Sequence, residues 1–267
     1  MTRQEQLSAS FTPIAHQYDR SRNMPTSILN SAIRWLLDQG VLQPNSRIVD
    51  VGCGTGQLTL PFADQGFHMT GVDLSDAMVD IGRTKVNSVQ DVTFCVGNAQ
   101  SLEFEDGTFD HAIASKLFQH VADWQGAADE MIRVVRPGGT FLYFNDRGSF
   151  VNQVRRQLAQ EADKRGYRNR YRGIIDRDEL HRYFRDQGFL VTVCSPSDWQ
   201  WEKSATYRQA LQEFQERLYA EFWDIPVEAY QHMTEEVEAW IHAQPDGLDT
   251  VEEMQPYLVV DVYQLPT

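Results

Sequence analysis

The 267-residue chain is long enough for one large α/β domain, or one domain with a sizeable insertion, and 42% hydrophobic residues support a real core. A net charge of −14 argues against nucleic acid as the main partner, because phosphate neutralisation asks for a basic surface. No stretch approaches the roughly 18 apolar residues that cross a bilayer, and MTRQEQLSASF lacks the apolar core of a secretory signal, so a cytoplasmic location is expected.

Residues 1–40 read as a helical cap segment ahead of the core. Short apolar runs then alternate with helical patterns. Strands are predicted at 47–51, 68–72, 92–96, 111–114, 140–144, 190–194 and 258–263, most of them rich in β-branched or aromatic residues, as buried parallel strands are. Helices are predicted at 57–65, 75–86, 124–135 and 149–164, with Ser75 as an N-cap and Asp76 in the first turn. This alternation predicts a doubly wound, mostly parallel sheet with helices on both faces. Residues 195–257 break the rhythm with an aromatic-rich, mostly helical pattern, far longer than a plain crossover. The expected organisation is a core of 41–196 and 257–267 with a helical cap insertion at 197–256. Its aromatics, among them Trp201, Tyr207, Phe214, Trp223 and Tyr230, suit either a core or a pocket lining.

Cys53, Cys95 and Cys194 are widely spaced and odd in number, which gives neither a disulfide framework nor a zinc spacing, so no metal is expected. Charge is uneven. Between residues 155 and 185 basic residues outnumber acidic ones two to one, whereas 213–253 is strongly acidic. The basic stretch reads as a solvated helical face or as a rim for an anionic substrate.

The most informative segment is RIVDVGCGTGQLTLPFA, residues 47–63. A strand ends at Val51, and Gly52, Gly54 and Gly56 run directly into a helix whose free N–H groups point at the loop. A dinucleotide fingerprint spaces its glycines G-x-G-x-x-G; here the third comes one residue early, and Asp50 precedes the first by two. A carboxylate there suits loop amides and an ammonium group better than a pyrophosphate. Some twenty residues on, HMTGVDLS places Asp73 at the end of the second strand, where an acid accepts both hydroxyls of a ribose.

With these residues the sequence resembles the class I S-adenosylmethionine-dependent methyltransferases, especially the small-molecule group related to ubiquinone and menaquinone methylation enzymes. VDVGCGTG matches the family's first motif, GVDLS its ribose acid, VGNAQSLEFEDGTFDHAIA its adenine segment and VVRPGGTFLYF the turn into the fifth strand; FTPIAHQYDRSR resembles its N-terminal opening. The resemblance implies a Rossmann-like seven-stranded sheet with an antiparallel last strand, and S-adenosyl-L-methionine as cofactor. It places Gly52, Cys53, Gly54 and Gly56 with Asp50 around the methionine end, Asp73 on the ribose, Leu74 against adenine, Asn98, Ala99 and Gln100 at the adenine edge, and Lys116 on the cofactor through its backbone. Asn98 stands where the family usually carries Asp; its carbonyl oxygen still accepts a hydrogen bond from the adenine amino group. Arg22 would pair with the cofactor carboxylate or stand as a surface arginine.

Methyl transfer from a sulfonium depends mainly on alignment, and a base is needed only where the acceptor bears a proton. His120, after the fourth strand, and Tyr18, in the opening motif, are the catalytic candidates; a packing histidine and a positioning tyrosine are the alternatives. The expected function is methylation of a small molecule, in a monomer or homodimer. A tRNA- or protein-directed enzyme, using Arg168, Arg170 and Arg172, is one rival, and a non-catalytic cofactor-binding regulator is another. A nicotinamide oxidoreductase is disfavoured by the early third glycine.

Overall fold

The computed structural model describes residues 11–21, 24–148, 153–167 and 171–264. In chain order its elements are a 3-10 stretch (Thr12–Gln17), α1 (Tyr18–Ser21), α2 (Thr26–Asp38), β1 (Arg47–Val51), α3 (Thr59–Asp64), β2 (His68–Asp73), α4 (Asp76–Lys85), β3 (Val92–Val96), β4 (Phe109–Ser115), α5 (Trp124–Val134) and β5 (Val135–Arg147). They continue with α6 (Gln153–Lys164), α7 (Arg177–Asp186), β6 (Leu190–Cys194), β7 (Lys203–Thr206), α8 (Tyr207–Gln215), α9 (Val227–His242), β8 (Val251–Met254) and β9 (Tyr257–Gln264). Two compact units result. One takes the chain as far as Asn145, Arg172–Trp199, and the chain from Leu258; the other takes Asp146–Tyr171 and Gln200–Tyr257.

The first unit is a Rossmann-like α/β layer structure. Among the described residues its sheet has seven strands in the order β3-β2-β1-β4-β5-β9-β6. β1 to β5 pair in parallel and β9 runs antiparallel to β6, as the sequence predicts. β1 and β4 sit at its centre and are largely buried, with Asp50 and His111 among their buried residues. The connections reverse direction at β1 and β4, so the loops leaving their C-terminal ends diverge and open a crevice there. Ser75 caps α4 by accepting from the Met78 amide at 3.3 Å, as expected.

Three features depart from the sequence reading. β5 begins at Val135 rather than 140, because α5 passes straight into the strand and the Pro137–Gly138–Gly139 turn makes a bulge against β4; a Cβ on Gly139 would stand 2.3 Å from the Asp110 carbonyl oxygen. α7 was not predicted: its ten residues bury only Leu180, His181 and Phe184, too thin an apolar stripe to stand out among arginines. Finally, the segment read as mostly helical also holds the antiparallel pair β7–β8. The predicted helix at 149–164 is described from Gln153.

The second unit packs α6, α8 and α9 together. Phe214, Phe222 and Tyr230 meet in its interior, so these aromatics form a core. Beside them Arg155 donates two hydrogen bonds to the buried Glu221 carboxylate, at 2.8 and 2.6 Å. Among the described residues no helix is long and apolar enough to cross a membrane.

The first unit also carries a buried ion pair. Arg177 on α7 donates from Nε to Asp261 on β9 at 2.8 Å, with a second bond from Nη2, and His181 Nε2 lies 3.4 Å from the same carboxylate. Asp261 is fully buried, so removing its partner leaves a charge with little solvent. Arg177→Met is expected to cost about 3 kcal/mol of stability, read as a lower urea midpoint at unchanged slope.

Candidate cofactor site

The crevice at the C-terminal ends of β1 to β4 is a pocket of about 730 Å³, counting its open mouth. Each wall follows from a strand end.

After β1 the chain turns through Gly52, at φ +74°, and Gly54, at φ +54°. Both take the left-handed region, and a Cβ on Gly52 would stand 2.8 Å from Leu117 Cδ1, so only glycine fits there. The loop is tied to β2: the amides of Gly52 and Cys53 both donate to the Val72 carbonyl, at 2.8 and 3.0 Å. At the end of β2, Asp73 Oδ2 accepts from the Gly54 amide at 2.8 Å and Oδ1 from the Ser75 amide at 2.9 Å. Burial raises the Asp73 pKa against the opposing pull of these amides. Each oxygen keeps a lone pair for a further donor.

After β3, Gly97, Asn98 and Ala99 form the next wall, and Asn98 Oδ1 accepts from the Gln100 amide at 3.0 Å. After β4, Lys116 sits at φ +52°, rare for a side-chain-bearing residue and a mark of a functional turn. Next come Leu117 and a short 3-10 turn, Phe118–His120. The His120 ring meets Phe11 edge-on at 4.9 Å, and Phe11 meets Tyr18 edge-on at 5.7 Å. Gly173 backs this turn: its amide donates to the Gln119 carbonyl at 3.1 Å, and a Cβ there would lie 2.0 Å from the Phe118 carbonyl.

Of the residues singled out from sequence, Tyr18, Gly52, Gly54, Asp73, Leu74, Asn98, Ala99, Lys116 and His120 line this one pocket. Asp50, Cys53, Gly56 and Gln100 do not. The Asp50 carboxylate turns to the start of α3 and accepts from Thr59 Oγ1 at 2.6 Å. The Cys53 thiol is buried with Val79 and Phe94. Gly56 gives its space to Phe94, whose Cζ would stand 2.9 Å from a Cβ there. The Gln100 side-chain oxygen is buried without a hydrogen-bond partner among the described residues. These four support the loops rather than the pocket wall. Arg22 lies outside the described residues, as do Arg168 and Arg170. Sequence reasoning missed Phe11, Val72, Met78, Gly97, Ser115, Leu117 and Val121 as lining residues. Phe11 heads the opening motif, which signalled it, and Val72 and Gly97 lie within the ribose-acid and adenine motifs; nothing local signals the others.

An acid with free lone pairs at the second strand, a glycine turn beside it and apolar flanks beyond define a nucleoside-cofactor site on a Rossmann-like fold. A family model described as a methyltransferase domain matches residues 49–143. The demethylmenaquinone methyltransferase of Symbiobacterium thermophilum is 30% identical over 210 residues, covering 68% of this chain and 84% of that enzyme. Its counterpart from Staphylococcus aureus is 33% identical over 140 residues, or 51% of this chain, and that from Staphylococcus epidermidis is 30% identical over 141. The match spans 58% of the length of each Staphylococcus enzyme. Among solved structures, the YcgJ protein of Bacillus subtilis superposes with a TM-score of 0.58 at 18% identity, over 89% of this chain and 98% of that one. Phosphoethanolamine N-methyltransferase 2 of Haemonchus contortus, in complex with S-adenosyl-L-methionine, gives 0.54 at 17% identity, over 97% and 60%. These two likenesses show the fold. The chain belongs to the class I S-adenosylmethionine-dependent methyltransferases.

The site's electrostatics carry a pH signature. Burial pushes the Asp50 carboxyl up to about 7; the Thr59 bond opposes this and neighbouring Asp73 adds to it. The ligand-free fold therefore binds more protons than the unfolded chain between the ordinary carboxyl value and about 7, and loses stability as pH rises through that window. A bound cation favours the ionised carboxyl, so the effect on binding has the opposite sign. Affinity for S-adenosylmethionine should rise from roughly pH 6 to pH 8 with proton release, and the trend should flatten in Asp50→Asn. Calorimetry in buffers of different ionisation heat reads both.

Proposed function

We propose that this chain is an enzyme that transfers the methyl group of S-adenosyl-L-methionine to a small-molecule acceptor by in-line displacement. The observation that carries the reading is the Asp73 carboxylate, held by the Gly54 and Ser75 amides on the wall of a pocket whose other lining includes Phe11, Tyr18 and His120. The cofactor supplies an electrophilic methyl group on a sulfonium with a neutral leaving group.

The chain's own residues bind, align and exclude water. Asp73 receives the ribose hydroxyls. Leu74 and Met78 flank the base with Ala99, and Asn98 meets its edge. The Gly52–Gly54 turn admits the methionine end without a Cβ in the way, and the Lys116 backbone closes the opposite side. Asp50 sets the charge beneath the loop. Phe11, Leu117 and Val121 give the acceptor side an apolar lining, which suits a ring-bearing or otherwise apolar acceptor. The demethylmenaquinone methyltransferases among the relatives point the same way. His120 stands where it can take a proton from such an acceptor, and Tyr18 positions it.

The charge distribution supports a small acceptor over RNA. Arg155, Arg165 and Arg177, three of the ten basic residues between 155 and 185, are each engaged by carboxylates of their own unit: Glu221, Glu161 with Glu236, and Asp261. We assign acceptor selectivity to the apolar wall of the pocket, and a cytoplasmic location.

The test is methyl transfer from labelled cofactor to an acceptor panel that includes demethylated quinols, alongside titration with S-adenosylhomocysteine. Transfer is expected, and Asp73→Ala should weaken binding at least about 10-fold, the loss of charged hydrogen bonds. Binding without transfer to any acceptor would favour a regulatory protein, and no binding at all would end the reading. His120→Ala should lower kcat about 100-fold, as general-base removal does, with cofactor affinity little changed.

A further inference from the structure

The segment that brings Phe11 and Tyr18 into the pocket is a 3-10 stretch and a single helical turn, too short for helix propensity to hold it in place. Tertiary contacts must seat it. Ile14 and Ala15 are buried, and the stretch packs on α4. Its best-defined polar tie is Asp19. Asp19 Oδ1 accepts from Thr55 Oγ1 at 2.5 Å and from Gln57 Nε2 at 3.4 Å, while Oδ2 accepts from Lys85 Nζ at 2.5 Å. Lys85 Nζ also donates to the Thr55 carbonyl oxygen at 3.0 Å.

Thr55 stands between Gly54 and Gly56 and is fully buried. The Asp19–Lys85 pair therefore grips the same loop residue twice, at its side chain and at its backbone carbonyl, and fixes the peptide plane in the middle of the glycine turn. Tyr18, one residue before Asp19, lays its ring on that turn: its Cε1 would stand 3.7 Å from a Cβ on Gly54. A second tie runs the same way. Thr12 Oγ1 lies 2.7 Å from Ser75 Oγ, and the Ser75 amide holds Asp73. Both ties end on residues that shape the cofactor's grip. An exposed ion pair is ordinarily worth little, but this one closes on a buried hydroxyl inside the binding loop.

We propose that Asp19 is a positioning residue for the cofactor: with Lys85, and through Thr55, it sets the Gly54–Gly56 turn and seats Tyr18 against it, so that cofactor binding and seating of residues 11–21 are one coupled event. The proposal rests on the reading of the pocket as an S-adenosylmethionine site. Coupling is reciprocal, so bound cofactor protects the segment as much as the segment retains the cofactor. The arrangement also joins three separate parts of the chain, the N-terminal segment, the loop after β1 and the last turn of α4, at one carboxylate.

The test uses the full chain and S-adenosylhomocysteine, with calorimetric Kd and trypsin cleavage after the exposed Arg20 as the two readouts. Asp19→Ala and Thr55→Val should each weaken binding about 10-fold, and Lys85→Met by a smaller factor. The Asp19→Ala/Lys85→Met double variant should bind no worse than Asp19→Ala alone, since both remove one linkage. Ligand should slow cleavage after Arg20 in the parent chain and fail to do so in Asp19→Ala. Thr55→Val, which keeps the charge pair but cuts its link to the loop, separates positioning from general stability. If the parent chain binds and all three variants bind equally well, or if they lose only thermal stability, the proposal is overturned while the cofactor reading stands. If the parent chain binds no S-adenosylhomocysteine, both are overturned.

Discussion

A carboxylate at the end of β2, held by one amide from the loop after β1 and one from the start of α4, ties three parts of the pocket wall together. Asp73 is half-buried, and desolvation alone would drive it towards the neutral form; the Gly54 and Ser75 amides work against that. Those same bonds fix the glycine turn against the N-cap of α4. The parallel register of β1 and β2, with Val51 opposite Val72, brings the loop amides to the Val72 carbonyl. Gly71 completes the fit. A Cβ there would lie 2.8 Å from Phe94 and 3.0 Å from the Cys53 thiol, so its absence lets the loop residue and β3 pack together beneath the site.

A second consequence is electrostatic. Asp50 and Asp73 lie at the ends of adjacent strands, and each raises the cost of ionising its surroundings: Asp73 adds to the upward shift of Asp50, and both push the Cys53 thiol up after burial itself. Burial is the larger cause and penalises charge of either sign; only the smaller carboxylate contribution favours a cation nearby. A sulfonium compound with an ammonium group brings positive charge to just such a place, whereas a pyrophosphate would add to the repulsion.

The sheet order, the glycine turn, Asp73 and most pocket residues after β2, β3 and β4 were legible in the sequence because they are local. A strand end, a turn and a capped helix occupy consecutive residues and leave a pattern. What was hidden depends on partners far away in the chain. α7 escaped because its arginine-rich sequence suggests a solvated face; the carboxylate that engages Arg177 is Asp261, 84 residues on. Arg155 finds Glu221 across 66 residues, which turns an apparently free cation into an internal one. The second unit joins Asp146–Tyr171 to Gln200–Tyr257 across an intervening stretch of core, a grouping no continuous insertion predicts. Asp50 was recognised as important, but whether its side chain faces the ligand or Thr59 is a matter of strand pleat and helix start, which sequence spacing does not carry.

The two ends of the pocket are built differently, and this bears on what relatives can teach. The Asp73 end rests on strand termini and the turns they fix, within the stretch that the family model matches, residues 49–143. The other end is built from irregular backbone. Phe11 and Tyr18 arrive on a short segment before that stretch, and the His120 turn is backed by Gly173 from beyond it. Rigid elements hold a constellation that does not change, and loops carry the parts that vary. The chain thus shares its cofactor with the family by virtue of β1 to β4 and their loops. Phe11 and Gly173 both touch the His120 turn, whereas the amides that hold Asp73 come from Gly54 and Ser75.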